Sequence, residues 1–131
     1  MKQLALLLSG LSVLFFACTP TGEQASIASP GGINEIDFFL SPEGTPMYRV
    51  LHNGKVVVDT SSLGFEFRDQ PQLGRGLELM ETKTATLDET WEMPWGEKRE
   101  VRNHYNELQV NLKKKTAPGR SITLRFKAYD D

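Results

Sequence analysis

The chain has a single cysteine and two histidines among its 131 residues. One cysteine provides no internal disulfide, so no cross-link supports the fold. His52 sits beside a turn signal and His104 far along the chain, so no zinc constellation is available. A basic excess is missing as well. Lys plus Arg number 15 against 17 Asp plus Glu, and the only basic run is Lys113-Lys114-Lys115. That balance excludes a nucleic-acid binder. Long apolar runs are absent too: Leu4 to Ala17 is shorter than the roughly 20 residues a bilayer-spanning helix needs. No window carries a helical period.

What is present begins with a leader. Lys2 gives a positive start, the apolar run follows, and Leu14-Phe15-Phe16-Ala17-Cys18 closes it. Residues 1–17 read as a signal peptide with a bacterial lipoprotein cleavage site, a small residue preceding the cysteine that would take the lipid. An ordinary secretory peptide cut near Ala17 or Ala25, with Cys18 idle, is the alternative. Lipid on Cys18 would hold the protein on a membrane of the cell envelope, on the periplasmic or outer-membrane side. Residues 18–34 are small, polar and rich in Gly, Pro and Ser, and read as a flexible tether.

From residue 35 the pattern has a period of two. Ile36, Phe38 and Leu40 alternate with Asp37 and Phe39, and Ser41-Pro42-Glu43-Gly44 is a turn with Gly44 free to take positive φ. Met47 to Leu51 and Val56 to Val58 flank Asn53-Gly54, the strongest short-range hairpin signal. Leu63, Phe65 and Phe67 predict another extended piece, and 68–76 a loop. Thr82, Thr84, Thr86 and Thr90 suit a strand. Ile122, Leu124, Phe126 and Ala128 alternate with Thr123, Arg125, Lys127 and Tyr129, and predict a hairpin with Glu107–Leu112. About eight short strands make the chain all-β, an antiparallel β-sandwich. A chain stopping at Asp131, just after its clearest strand, reads as an incomplete part of a larger sandwich. A small lipoprotein pairing with itself is the other reading.

The richest stretch is 89–112. Trp91 to Glu107 holds both tryptophans and many Asn, Arg and Glu residues, and reads as a polar, aromatic loop delivered by the alternating strand that follows. Here the chain resembles a known family. Thr84-Ala85-Thr86-Leu87-Asp88-Glu89-Thr90-Trp91, Trp95-Gly96-Glu97, Arg102-Asn103-His104-Tyr105-Asn106-Glu107-Leu108, Leu124-Arg125-Phe126 and Tyr129-Asp130-Asp131 are similar to the N-terminal domain of glycoside hydrolase family 97. Ser41 to Gly44, Tyr48, Asn53-Gly54-Lys55 and Ser62-Leu63-Gly64 extend the resemblance over 35–131. Proline stands three residues after Trp91, at Pro94, where the family has it two after.

The resemblance implies a bacterial α-glucosidase or α-galactosidase whose catalytic carboxylates lie on a (β/α)8 barrel. No catalytic residue therefore transfers to this chain, which would be inactive alone. It implies no cofactor here, and Ca²⁺ only in the full-length enzyme. The barrel would be the partner, with an α-glycoside or oligosaccharide in reach.

Trp91, Trp95, Glu97, Arg102, Asn103, His104, Tyr105, Asn106 and Glu107 are the candidate pocket or domain-interface residues. Each has a plainer reading. Glu97 and Glu107 resemble an acid–base pair but are more simply a loop acid and a strand-face acid beside Arg99 or Arg102. His104 suits a structural hydrogen bond or a pocket contact. The tryptophans suit a sugar platform or a buried plug, and Arg102, Asn103 and Asn106 suit sugar hydroxyls or the loop's own backbone. A freestanding lipid-anchored carbohydrate-binding or structural sandwich is the alternative to the enzyme domain.

Overall fold

A computed structural model describes residues 23–97 and 99–130. The leader and Cys18 lie outside the described residues. Among the described residues seven strands follow one another: β1 (Gln24–Ala28), β2 (Asn34–Leu40), β3 (Pro46–His52), β4 (Lys55–Ser62), β5 (Leu77–Glu92), β6 (Glu100–Lys114) and β7 (Ser121–Ala128). They form two antiparallel sheets, ordered β1-β2-β3-β4 and β5-β6-β7. The architecture is all-β and sandwich-like, as the alternation predicts.

The turns follow local chemistry. Asn53 and Gly54 both take positive φ, 49° and 73°, which closes the two-residue β3–β4 hairpin with His52 opposite Lys55. Gly44 also lies at φ 73° and does more than turn the chain. Its carbonyl accepts from Leu77 N at 3.0 Å, and Gly76 N donates to Glu43 O at 2.9 Å, so the β2–β3 turn is clasped to the start of β5. A Cβ on Gly44 would overlap the backbone of Leu77.

The core forms where the sheets face each other. Phe38 and Leu40 from β2 meet Leu77 from β5, Leu108, Val110 and Leu112 from β6, and Leu73 from the preceding loop. Ile122, Leu124 and Phe126 of β7 stand opposite Leu112, Val110 and Leu108, as the sequence predicts for that hairpin. Phe126 packs tilted on Phe38, with ring centroids 6.1 Å apart. On the far side of the first sheet the carboxylate of Asp37 is buried but satisfied. It accepts from Ser26 Oγ at 2.8 Å and from Arg49 Nε and Nη2 at 3.1 and 2.5 Å. Ser26, Asp37 and Arg49 stand side by side in adjacent strands, so the register itself builds this triplet.

Three expectations change. First, residues 24–28 of the expected tether are a strand, with Gln24 opposite Phe39 and Ala28 opposite Glu35. Ala25 and Ile27 pack against the core on its inward side, a short alternation that small residues hide. Second, Leu63 to Phe67 forms no strand. Phe65 makes one bridge, to Leu73, and both Phe65 and Phe67 are exposed.

Third, most of 91–107 is strand. Trp91 lies opposite Val101, and the ladder runs unbroken from there to Ala85 opposite Glu107. The side chains are polar because this half of the β5–β6 hairpin overhangs the first sheet, which leaves most of it exposed. Its backbone groups are still paired with the threonine-rich half of β5. β5 ends only at Glu92 and β6 begins at Glu100.

Candidate functional site: the distal β5–β6 hairpin

A bulge sets which side chains share a face. Leu79 lies opposite Leu112 but Glu81 opposite Asn111, so Met80 is the extra residue and the parity of β5 switches there. Leu77 and Leu79 face inward before the bulge, and Thr82, Thr84, Thr86 and Asp88 after it. On β6 the inward series continues from Leu112, Val110 and Leu108 to Asn106, His104 and Arg102. The candidate residues are therefore divided by the sheet: Arg102, His104 and Asn106 on the inward face, and Asn103, Tyr105 and Glu107 on the outward face.

The inward face is a polar hydrogen-bonded strip. Arg102 donates to both carboxylate oxygens of Asp88, from Nε at 2.8 Å and Nη2 at 2.7 Å. This fork holds the Asp88 carboxyl below the usual carboxylate range, first by hydrogen bonding and then by charge, and raises Arg102 in turn. His104 stands opposite Asp88 in the ladder. Thr86 Oγ1 donates to Asn106 Oδ1 at 2.7 Å, and Asn106 Nδ2 donates to Ala28 O at 2.9 Å, which ties the overhang to β1. Asp130 accepts from Gly31 N at 2.8 and 3.0 Å, and its carboxyl is lowered by Ser29 and then by that backbone N–H.

On the outward face Tyr105 is nearly buried. Tyr129 packs on it at 5.1 Å between centroids, and Lys127 Nζ lies 4.3 Å over its ring. The Lys127 ammonium is raised above the usual lysine range, chiefly by Tyr105. Asn103 Nδ2 donates to Glu89 Oε1 at 2.9 Å and Asn103 Oδ1 accepts from Tyr129 Oη at 3.2 Å. Glu107 pairs with Arg125 Nη1 at 3.7 Å. Glu97 sits exposed in the turn. It is at least seven strand residues, about 23 Å, from Glu107. These two acids do not form a pair.

Large apolar side chains stand uncovered at the tip among charged neighbours. Trp91 and Met93 are partly exposed and Trp95 is 82 % exposed. Met93 N donates to Arg99 O at 2.8 Å, which closes the turn beneath them. Asp88, Lys127, Tyr129 and Asp130 join the site without having been expected there. The strict alternation of β7 is the signal that places Lys127 and Tyr129 beside β6. Among the described residues no three of His, Cys, Asp and Glu converge as a cation would require.

Two small antiparallel sheets, with a long hairpin carrying an exposed aromatic tip, define an all-β module of the sandwich type. The chain belongs to the family described as Glycosyl-hydrolase 97 N-terminal, whose profile matches residues 27–131. It is 28 % identical over all 131 residues to a retaining alpha-galactosidase of Bacteroides thetaiotaomicron, spanning 18 % of that protein. It is similar in structure to a glycoside hydrolase family 97 enzyme from Pseudoalteromonas sp. strain K8, solved with acarbose and, as a variant, with panose. That similarity has a TM-score of 0.76 and 30 % identity over 81 % of this chain and 16 % of the enzyme. A beta-arabinopyranosidase shares the fold, with a TM-score of 0.72 and 21 % identity over 82 % of this chain and 17 % of its own. The chain thus spans less than a fifth of the relatives it matches.

Proposed function

We propose that residues 35–131 are the N-terminal, non-catalytic portion of a family 97 α-glycosidase, an α-glucosidase or α-galactosidase. In this reading the distal hairpin packs on the (β/α)8 catalytic domain of the complete polypeptide, and its polar strip supports or borders the sugar pocket. The observation that carries the reading is Trp95, with Trp91 and Met93, held uncovered at the end of a rigid ladder. Exposed apolar clusters rimmed by polar groups mark interaction surfaces. The family membership supports the choice of partner, and the panose and acarbose complexes and the alpha-galactosidase among the relatives support an α-glycoside as the substrate class.

The test is Trp95→Ala in the polypeptide made from the complete gene. The exposed indole supports little within the sheets, so the thermal transition of this domain is expected to stay within about 0.5 kcal/mol of the parent. Proteases should separate the domain from the remainder faster. Separation at an unchanged rate sinks the hairpin contact.

The reading also puts the protein in the cell envelope, held by lipid on Cys18 after removal of 1–17. Cells fed radiolabelled palmitate should label the protein and the label should vanish in Cys18→Ser. An unlabelled parent protein contradicts the anchor.

A further inference from the structure

At the other end of the β5–β6 hairpin from the tip, a groove of about 880 Å³ opens between the β2–β3 turn, the end of β4 and the 63–75 loop. That volume lies in the range of small-molecule sites. Glu43, Glu66, Arg75 and Lys114 line it, with Leu63 and Phe65. Two carboxylates and two cations leave the groove lining with no net charge. Neither an anionic nor a cationic ligand is favoured there, while polar hydrogen-bonding groups of both kinds are in reach.

The walls are fixed. Phe65 and Leu73 exchange two backbone hydrogen bonds of 2.9 Å, and the Leu73 side chain is anchored in the core. Where the loop crosses itself, a Cβ on Gly64 would come within 3.1 Å of Gly74 Cα, and the reverse holds for Gly74. Ser41 Oγ donates to Glu43 Oε2 at 2.9 Å, Lys114 Nζ donates to the Arg75 carbonyl, and the Glu43–Gly76 backbone bond pins one rim. Phe65 is nonetheless 51 % exposed. Its ring stacks on Phe67 at 6.2 Å and 24° between planes, and the guanidinium of Arg120 covers Phe67 at 5.4 Å. The stack fixes the Phe65 ring, half exposed, in the groove wall beside polar groups of both signs.

We propose that this groove binds a neutral oligosaccharide, with the apolar face of one ring on Phe65 and its hydroxyls on Glu43, Glu66 and Arg75. A pyranose presents that combination of a C–H face and a rim of hydroxyls without charge. The choice of sugar over another neutral polyol rests on the family reading above; the groove and its charge balance do not.

The test is native electrophoresis of the polypeptide from the complete gene through gels containing soluble α-glucan, galactomannan or polygalacturonate. Retardation in α-glucan or galactomannan is expected, and Phe65→Ala should abolish it. Glu43→Gln should weaken it. The thermal transition of both variants reports whether the fold survives. Retardation unchanged in Phe65→Ala, no retardation in either neutral polymer, or retardation in polygalacturonate alone overturns the proposal. The protease assay on Trp95→Ala reads the hairpin contact independently, so failure of the groove and failure of the domain reading are distinguishable.

Discussion

Alanine at Gly44 is expected to destabilise the fold by at least about 3 kcal/mol, whereas alanine at Gly54 should cost only about 1 kcal/mol. Both glycines sit at φ 73°, so the backbone strain of adding a Cβ is the same. Their surroundings differ. A Cβ on Gly54 meets nothing within 4 Å, because it tips an exposed hairpin. A Cβ on Gly44 runs into the backbone N and O of Leu77, which cannot swing aside as a side chain could. To make room, the turn must release Leu77 N and Gly76 N, the bonds that clasp the first sheet to β5. Leu77 is fully buried, so that movement also disturbs the core. Urea unfolding followed by far-UV circular dichroism measures both variants on one scale. Equal midpoints for the two would mean that the turn and β5 do not approach as described.

The second large effect is at Phe38, where truncation to alanine should cost about 3–5 kcal/mol. The side chain is 0 % exposed and sits between the sheets, against Phe126 and the leucines of β6. Domain stabilities are commonly about 5–15 kcal/mol, so the loss is a large share of the whole. Phe38→Leu keeps most of the volume and should cost less than about 1.5 kcal/mol. Phe65→Ala removes the same chemical group from a half-exposed position and should stay within about 0.5 kcal/mol. Calorimetric scans of the three variants check the order. A Phe38→Ala protein as stable as Phe65→Ala would remove the interface between the sheets from the account.

Much of the fold is legible in the sequence because one face of each inner strand is buried and the other is not. Leu108, Val110 and Leu112 with Ile122, Leu124 and Phe126 fix both the strands and their pairing, since a slip of one residue would turn the three apolar side chains of one strand to water. Asn53-Gly54 fixes the β3–β4 hairpin through its positive φ angles alone. The distal hairpin is less legible. Its residues from Trp91 to Glu107 lack the apolar alternation because they stand beyond the shared core, and polarity there marks an overhanging strand and not a loop. The ladder is recoverable only from the β5 side, where threonines at alternate positions suit extended backbone.

β1 escapes notice for a different reason: only Ala25 and Ile27 carry its inward face, too few to stand out from the Gly, Pro and Ser around them. Phe65 and Phe67 mislead in the opposite sense. Their spacing suggests a strand facing a core, yet the rings stack on each other in solvent. Of the candidate residues, Arg102 to Glu107 stand out in the sequence as a dense polar cluster. The sequence does not reveal that alternate members lie on opposite faces, because that depends on the bulge at Met80 and on the sheet's register.

Hydroxyl-radical footprinting of the polypeptide from the complete gene, read by mass spectrometry at Trp95, addresses the central claim most directly. If the hairpin tip packs on the catalytic domain, Trp95 is oxidised far more slowly than a free tryptophan derivative, and Met93 is shielded with it. Oxidation of Trp95 at the rate of the free derivative, as its 82 % exposure dictates for these residues alone, would contradict the proposed role of the hairpin.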